Sequence, residues 1–320
     1  MIFKRMNLAI ICVALLVACK IMNSTAWAQP SVSLKLDASR IRWTHLSFRA
    51  KNFWVEVSTD LQLKSLPAPE VEALLLASPR GVPIKPATPN ACQMTINTTI
   101  NPVFRPPVKI NYQVWFNPED AAVLGRIRLR RGEDDLIKIY RFTEQGVFRQ
   151  RKEPKDSKEI SLEPENWTNV QDSFYPYNLA DLGCPIVSGR LLLVYIISAV
   201  DIAKRDQSQS ICVFGKEQLH RVRFRNEGLQ PVEFKHVVKD RQTEVQKAGT
   251  AKALKIAVAA DPIEPDLKDP EDFSFLGLHR DIAIYVDPTS RLPIQVSGTI
   301  PMVGNVSLKL SEVRLRQGAD

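Results

Sequence analysis

Two short stretches set cations at alternate positions, and alternation is what puts side chains on one face of a β-strand. In Gly125-Arg-Ile-Arg-Leu-Arg-Arg-Gly132, Arg126, Arg128 and Arg130 share a face while Ile127 and Leu129 share the other. The run from Leu219 to Arg225 repeats the scheme, with Arg221, Arg223 and Arg225 opposite Val222 and Phe224. Guanidinium groups ~7 Å apart along a strand can each grip a phosphate or a carboxylate. The plain alternative is a solvated strand face, or rows neutralised by neighbouring acids. A second supply of binding groups is aromatic. Trp43, Phe53, Trp54, Trp115 and Phe116 could wall a cavity rimmed by Tyr175 and Tyr177, or could simply be core.

Other chemistry is thin. His45, His220, His236 and His279 are scattered, and neither His-x-x-x-His nor Cys-x-x-Cys spacing occurs to hold a metal. There is no Gly-x-Ser-x-Gly elbow and no phosphate loop of the Gly-x-x-x-x-Gly-Lys type. Glu133, Asp134 and Asp135 fall in an expected turn, where solvation is the ordinary reading; a glycosidase needs two carboxylates at a defined separation. These patterns lead us to expect no catalytic residue, no metal and no cofactor.

The elements that must position the arginines read as strands. At the C-terminal end, Ile282, Ile284 and Val286, then Leu292, Ile294 and Val296, then Val306, Leu308 and Leu310 form a three-strand meander. Its turns are Asp287 to Ser290 and Pro301 to Asn305. The apolar parity then changes to Val313 and Leu315, which predicts an extra residue, a β-bulge, near Ser311 or Glu312. Further strands are expected between Ser31 and Leu66, from Lys109 to Phe116, and in a hairpin of Leu136 to Phe142 with Val147 to Arg151. Ser210 to Phe214, Leu219 to Arg225, Val232 to Val238, Thr243 to Lys247 and Ala253 to Ala259 continue the pattern, with Lys247-Ala-Gly-Thr250 as a turn.

Leu66 to Pro107 holds nine prolines and reads as loop around a short helix from Glu70 to Ser78. Asp172 to Val187 reads as a compact loop, and Asp261 to Phe273, with three prolines and a run of acids, as a loop insertion. Leu191 to Val200 is the most apolar run beyond the N-terminal segment; Ser188 as a cap and Asp201 to Arg205 after it point to a helix on the concave side of the sheet. The fold class expected is mainly β, a large twisted antiparallel sheet forming an open or half barrel with one or two helices against its concave face.

The N-terminus has the build of an export signal: Lys4 and Arg5, the apolar run Leu8 to Ala18, then Ala26-Trp27-Ala28. Cleavage after Ala28 is the preferred processing, giving a single β-rich domain over residues 29–320. The alternative is a lipoprotein signal, Leu16-Val17-Ala18-Cys19, with Cys19 lipidated. Both routes lead out of the cytoplasm, to a periplasmic protein or one anchored to the membrane. Loss of residues 1–28 lowers the formal charge from +8 to +5, a mild basic excess that suits anionic lipid or polysaccharide; nucleic acid is a poor partner for an exported chain. Of the five cysteines, Cys92, Cys184 and Cys212 remain after cleavage at Ala28; the preferred pair is Cys184 with Cys212, the alternative three reduced buried thiols.

A Tyr/Pro-rich loop, an apolar helix-like run, hairpins, the Lys-Ala-Gly-Thr segment and Val286-Asp-Pro-Thr-Ser-Arg-Leu-Pro-Ile294 follow one another in an order that resembles the bacterial exported family called domain of unknown function 3108. The likeness runs over about Tyr175 to Leu315, and Asp-x-x-x-Arg-Leu-Pro is its most specific motif. It implies an open barrel similar to periplasmic lipoprotein carriers, and brings no catalytic residues. The expected function is a non-enzymatic binding or accessory module for an apolar or anionic envelope component: lipid, lipoprotein or polysaccharide. The alternatives are an envelope hydrolase acting on polysaccharide or lipid, and a structural interaction protein.

Overall fold

The computed structural model describes residues 34–316 apart from 52, 54, 105, 133, 241, 242 and 265–270. The expected export signal, the cleavage site after Ala28, the lipidation site Cys19 and Trp54 lie outside the described residues. In chain order the strands are β1 (Trp43–Lys51), β2 (Val55–Pro67), β3 (Asn90–Pro102), β4 (Val108–Phe116), β5 (Val123–Arg131), β6 (Leu136–Thr143), β7 (Gly146–Glu153) and β8 (Asn169–Pro176). They continue as β9 (Val187–Gly189), β10 (Ser208–Phe214), β11 (Leu219–Asp240), β12 (Thr243–Pro262), β13 (Arg280–Val286), β14 (Pro293–Ile300) and β15 (Gly304–Leu315). Short helices α1 (Ala68–Leu74), α2 (Ser157–Ile160) and α3 (Leu193–Ala199) accompany them.

All fifteen strands join one sheet in the order β8-β7-β6-β5-β4-β3-β2-β1-β15-β14-β13-β12-β11-β10-β9, antiparallel except where β9 meets β10 and β11 meets β15. The first and last strands of the chain therefore pair at the middle, and two arms spread from them. Alternation drives the curvature: on β2, Val55, Val57, Leu61 and Leu63 are buried while Glu56, Gln62 and Lys64 face water.

Strands β11 and β12 run 22 and 20 residues, about 65–70 Å if straight. They are not straight. The register slips between Asn226 and Leu229, where Gly228 takes φ 93°, a left-handed conformation that only glycine adopts without strain. Buried Asn226 pins the bulge, donating from Nδ2 to the Ile202 (2.9 Å) and Ala203 (3.1 Å) carbonyls and accepting from the Gly228 amide at 2.8 Å. Beyond it, Val237–Lys239 of β11 pairs in parallel with Glu312–Arg314 of β15, closing β11 to β15 into a ring.

The expected bulge on β15 is Ser311. Ser47 pairs with Glu312 and Phe48 with Leu310, and the Ser311 hydroxyl donates to the Ser47 carbonyl at 3.0 Å. The bulge coincides with a change of neighbour: residues before it pair with β14, residues after it with the tip of β11.

Helix α3 fills the concave side, and all seven of its residues are buried. Arg291 caps its C-terminal end, donating to the carbonyls of Ile197 (2.9 Å), Val200 (2.8 Å) and Ser198 (3.4 Å). From the other side the Tyr195 hydroxyl donates to the Pro118 carbonyl at 2.8 Å, its ring edge-on to Phe116.

Several expectations need correction. Leu66 to Pro107 is not mostly loop: Asn90–Pro102 is a 13-residue strand at the heart of its arm, with Cys92, Met94, Ile96 and Thr98 turned inward. Prolines sit only at its margins, Pro89 before it and Pro102 at its last position, where no ladder bond is lost. The expected helix ends at Leu74 rather than Ser78, its first turn led by Pro69. Asp172 is strand too, because β8 pairs with β7 from Asn169 to Pro176. Lys247 to Thr250 is no turn; Lys247, Ala248, Gly249 and Thr250 pair with His236, Lys235, Phe234 and Glu233 inside the long hairpin.

Candidate functional site

The register of β4 to β8 settles which way the first arginine row points. Arg126 pairs with Tyr140, Arg128 with Lys138 and Arg130 with Leu136. Tyr140 then pairs with Arg149, Lys138 with Arg151, and Arg149 with Ser173. Directly opposed residues share a face. That face is concave, since Tyr112, Val114, Tyr140, Phe142 and Val147 on it belong to the main core. The row expected to be solvated is therefore turned inward, beside Lys138, Arg149 and Arg151.

Two of these cations are structural. Buried Arg126 donates to the Phe214 carbonyl (3.4 Å) and the Gly215 carbonyl (2.9 Å), its guanidinium 4.0 Å from the centre of the Tyr140 ring. Arg149 is buried as well. It pairs with Glu217, donates to the Ser173 hydroxyl at 3.1 Å and lies 5.1 Å from the Tyr175 ring. Both reach the β10–β11 turn, which Glu271 holds by accepting from the amides of Lys216 (2.7 Å) and Glu217 (3.1 Å).

The next row outward is different. Arg128 lies 5.7 Å from the Tyr112 ring centre, and among the described residues neither it nor Lys138 has a carboxylate within ion-pairing distance. Arg151 pairs with Glu153, and Arg130 with Asp134 at 3.3 Å. Among the described residues, six cations meet three carboxylates across the face, Asp134, Glu153 and Glu217. No acceptor among the described residues meets the buried Nε groups of Arg126, Arg128, Arg130, Arg149 and Arg151, an unfavourable state for buried donors. Lys138 records the same imbalance. Burial, then the charges of Arg149, Arg128 and Arg151, push its ammonium down from 10.5 to about 8, against a weaker opposing pull from Glu217. A half-buried field of forked donors with an excess of three positive charges suits a ligand carrying more than one phosphate or carboxylate.

In the second arginine row Arg223 and Arg225 meet acids, and Arg221 a backbone carbonyl. Arg221 donates to the Leu182 carbonyl at 2.7 Å, Arg223 pairs with Asp261 at 2.6 Å, and Arg225 with Glu227 at 3.1 Å. Arg223 and Arg225 border an 830 Å³ groove floored by Ala257, Ala259 and Ala283, whose wall also carries Glu227, Asp272 and Asp281. The aromatics follow the core alternative rather than the cavity. Trp43 is core, and Trp115 faces the opposite side of the sheet, packed with Val71, Ala91 and Leu124 under α1. Tyr177 is pegged by its hydroxyl to the Thr143 carbonyl at 2.8 Å, while Tyr175 packs on Phe214 beneath Arg149. Cys184 and Cys212 are joined, with Cα atoms 5.8 Å apart, and Cys92 is a buried thiol raised by burial to about 11.

No family model matches the chain, and no curated protein matches it. Among solved structures it is similar to the crystal structure of a beta-barrel-like protein of domain of unknown function DUF1849 from Brucella abortus, with 7% identity and a TM-score of 0.40 over 87% of this chain and 100% of that one.

Sequence reasoning missed Lys138, Arg149 and Arg151. Their signal was present in the hairpin it recognised: Lys138 and Tyr140, like Arg149 and Arg151, are spaced by two. Pairing them with Arg126 and Arg128 required two registers, that of β5 with β6 and that of β6 with β7, of which Thr143-Glu-Gln-Gly146 sets only the second.

Proposed function

We propose that this chain is an exported envelope protein, a member of the family it resembles, that binds an anionic envelope component on the concave face of β5 to β8. The observation that carries the reading is the pair Arg128 and Lys138, half-buried side by side with no acid partner among the described residues. An apolar ligand is less well supported, because α3, wholly buried, occupies the concave side where an acyl chain would lie. The ligand is held by charge-assisted hydrogen bonds from Arg128, Lys138, Arg130 and Arg151, while Arg126 and Arg149 fix the floor.

The test is calorimetric titration of the chain with a sulfated oligosaccharide and with inorganic pyrophosphate. Binding is expected for the parent, weakened at least about tenfold in Arg128→Gln/Lys138→Gln, consistent with the loss of two charge-assisted contacts. It is expected to be unchanged in Arg223→Gln/Arg225→Gln, on the neutralised face. Equal affinity in the parent and the Arg128/Lys138 variant would remove the proposal.

A further inference from the structure

Exposed apolar side chains are not spread evenly over this sheet. Neighbouring strands alternate in direction, so the connections β1–β2, β3–β4, β5–β6, β7–β8 and β14–β15 all lie at one end. Those connections carry Phe53 (79% exposed), Val103 (57%), Phe104 (82%), Ile160 (50%), Leu162 (44%) and Met302 (102%). The opposite end, which holds α1, the turns that grip α3 and the tip of the β11–β12 hairpin, exposes Leu74, Val82, Leu229 and Val245 among the large hydrophobics described, and none of them is aromatic. Single exposed apolar residues need no explanation; six on four connections of one rim, two of them phenylalanines more than three-quarters exposed, do.

The basic face opens at this same rim. Arg130, Arg128, Lys138 and Arg151 lie within three residues of the β5–β6 connection or the end of β7, about 10 Å of strand. Beside the aromatic tips, Lys109 is exposed, and Lys51 is exposed in a loose pair with Glu56 at 3.8 Å. No described helix is long and apolar enough to cross a membrane.

We propose that the rim is a membrane-docking edge: Phe53, Phe104 and Met302 enter the interface of an anionic bilayer, and the headgroup of an anionic lipid rises from it into the basic face. This rests on the anion-binding reading for the headgroup but not for the tips. Aromatic and methionine side chains on turn tips gain free energy by leaving water for the acyl boundary, and the positive face behind them selects negative lipid. A lipid, unlike a soluble polysaccharide, makes sense of both features at one end of the sheet.

The experiment is flotation of residues 29–320, so that neither the export signal nor an acyl anchor contributes, on vesicles of phosphatidylcholine with and without phosphatidylglycerol. Flotation is expected with phosphatidylglycerol. It should weaken at least about tenfold in Phe53→Ser/Phe104→Ser/Met302→Ser, given the apolar area withdrawn from water, and stay unchanged in Leu74→Ser/Val82→Ser. The triple variant should still titrate the sulfated oligosaccharide like its parent, which also shows that it is folded. A parent that does not float, or a triple variant that floats like its parent, overturns the docking edge. If the tip variants float normally and Arg128→Gln/Lys138→Gln does not, the rim fails and the basic face stands. Loss of flotation in the tip variants with full flotation in the Arg128/Lys138 variant leaves the rim and removes the headgroup.

Discussion

Lys138 makes anion binding measurable as proton uptake. Its ammonium faces Arg128 on β5, Arg149 and Arg151 on β7 and Glu217 on the β10–β11 turn, and burial with the three arginines brings it down from 10.5 to about 8. An anion seated between Arg128 and Lys138 does not undo the burial, but it offsets the arginines' repulsion and gives the buried ammonium a charge partner, which returns the group toward its ordinary value. At pH 9 the free protein then holds ~0.1 proton on this amine and the complex nearly one, so binding takes up ~0.9 proton; at pH 7 it takes up ~0.1. Affinity consequently falls about tenfold between pH 7 and pH 9. The sign for stability is opposite. With the folded value below the unfolded one, the unfolded chain binds more protons between pH 8 and 10.5, and the unliganded protein gains stability as pH rises through that window. The assay is titration with a sulfated oligosaccharide, whose charge is constant over this range, in buffers of different ionisation enthalpy. Lys138→Arg should bind at both pH values with no proton uptake. Uptake that persists in Lys138→Arg, or parent affinity that is flat from pH 7 to 9, would refute the reasoning.

Three further predictions concern the frame. Arg291→Ala deprives the last turn of α3 of its three charged hydrogen bonds at a site 9% exposed, a loss of about 3 kcal/mol, so the midpoint in a thermal melt should drop by about 5–10 °C; an unchanged melt would mean α3 does not depend on its cap. Cys212→Ser opens a loop between residues 28 apart, worth about 3.5 kcal/mol in the chain-entropy account, and its urea midpoint should match that of the reduced parent rather than the oxidised one. Gly228→Val forces a β-branched residue to φ 93° at about 1–3 kcal/mol, and should speed protease cleavage within the β11–β12 hairpin; cleavage at the parental rate would show that the bend tolerates a side chain.

Much of the fold was legible where burial is one-sided. The meander, the bulge at Ser311 and the buried helix at Leu193 all follow from apolar spacing, because on those segments the core side and the water side differ in chemistry. Strand β3 was hidden by composition: Asn97, Thr98 and Thr99 look like loop, and prolines crowd both margins of an otherwise alternating run. The basic face was hidden for a deeper reason. Charged alternation ordinarily means solvent, and only the pairing of Arg126 with Tyr140 and of Phe142 with Val147 reveals that this row shares its side with the core. Spacing gives the faces of a strand; which face is inside is a property of the whole sheet.

The motif that carried the family likeness has a mechanical task, and the chain uses that task twice. In Asp287-Pro-Thr-Ser-Arg-Leu292 the Asp287 amide donates to the Leu292 carbonyl at 2.9 Å, the Arg291 amide to the Asp287 carbonyl at 3.0 Å, and Arg291 sits at φ 58°. In Asn117-Pro-Glu-Asp-Ala-Ala122 the Asn117 amide donates to the Ala122 carbonyl at 2.9 Å, the Ala121 amide to the Asn117 carbonyl at 2.9 Å, and Ala121 also sits at φ 58°. The side chain one before the left-handed residue accepts from the amide two ahead in both, Asp120 at 2.8 Å and Ser290 at 3.4 Å. One turn comes from each arm of the sheet, and both close on α3: Pro118 takes the Tyr195 hydroxyl, and Arg291 takes the C-terminal carbonyls. A left-handed backbone at a non-glycine residue is retained at a cost, and here it aims each turn at the helix. The two turns thus lock the arms to the plug at the end of the sheet remote from the apolar tips. The opposite end is where the cations of β5 to β7 and the exposed aromatic tips gather.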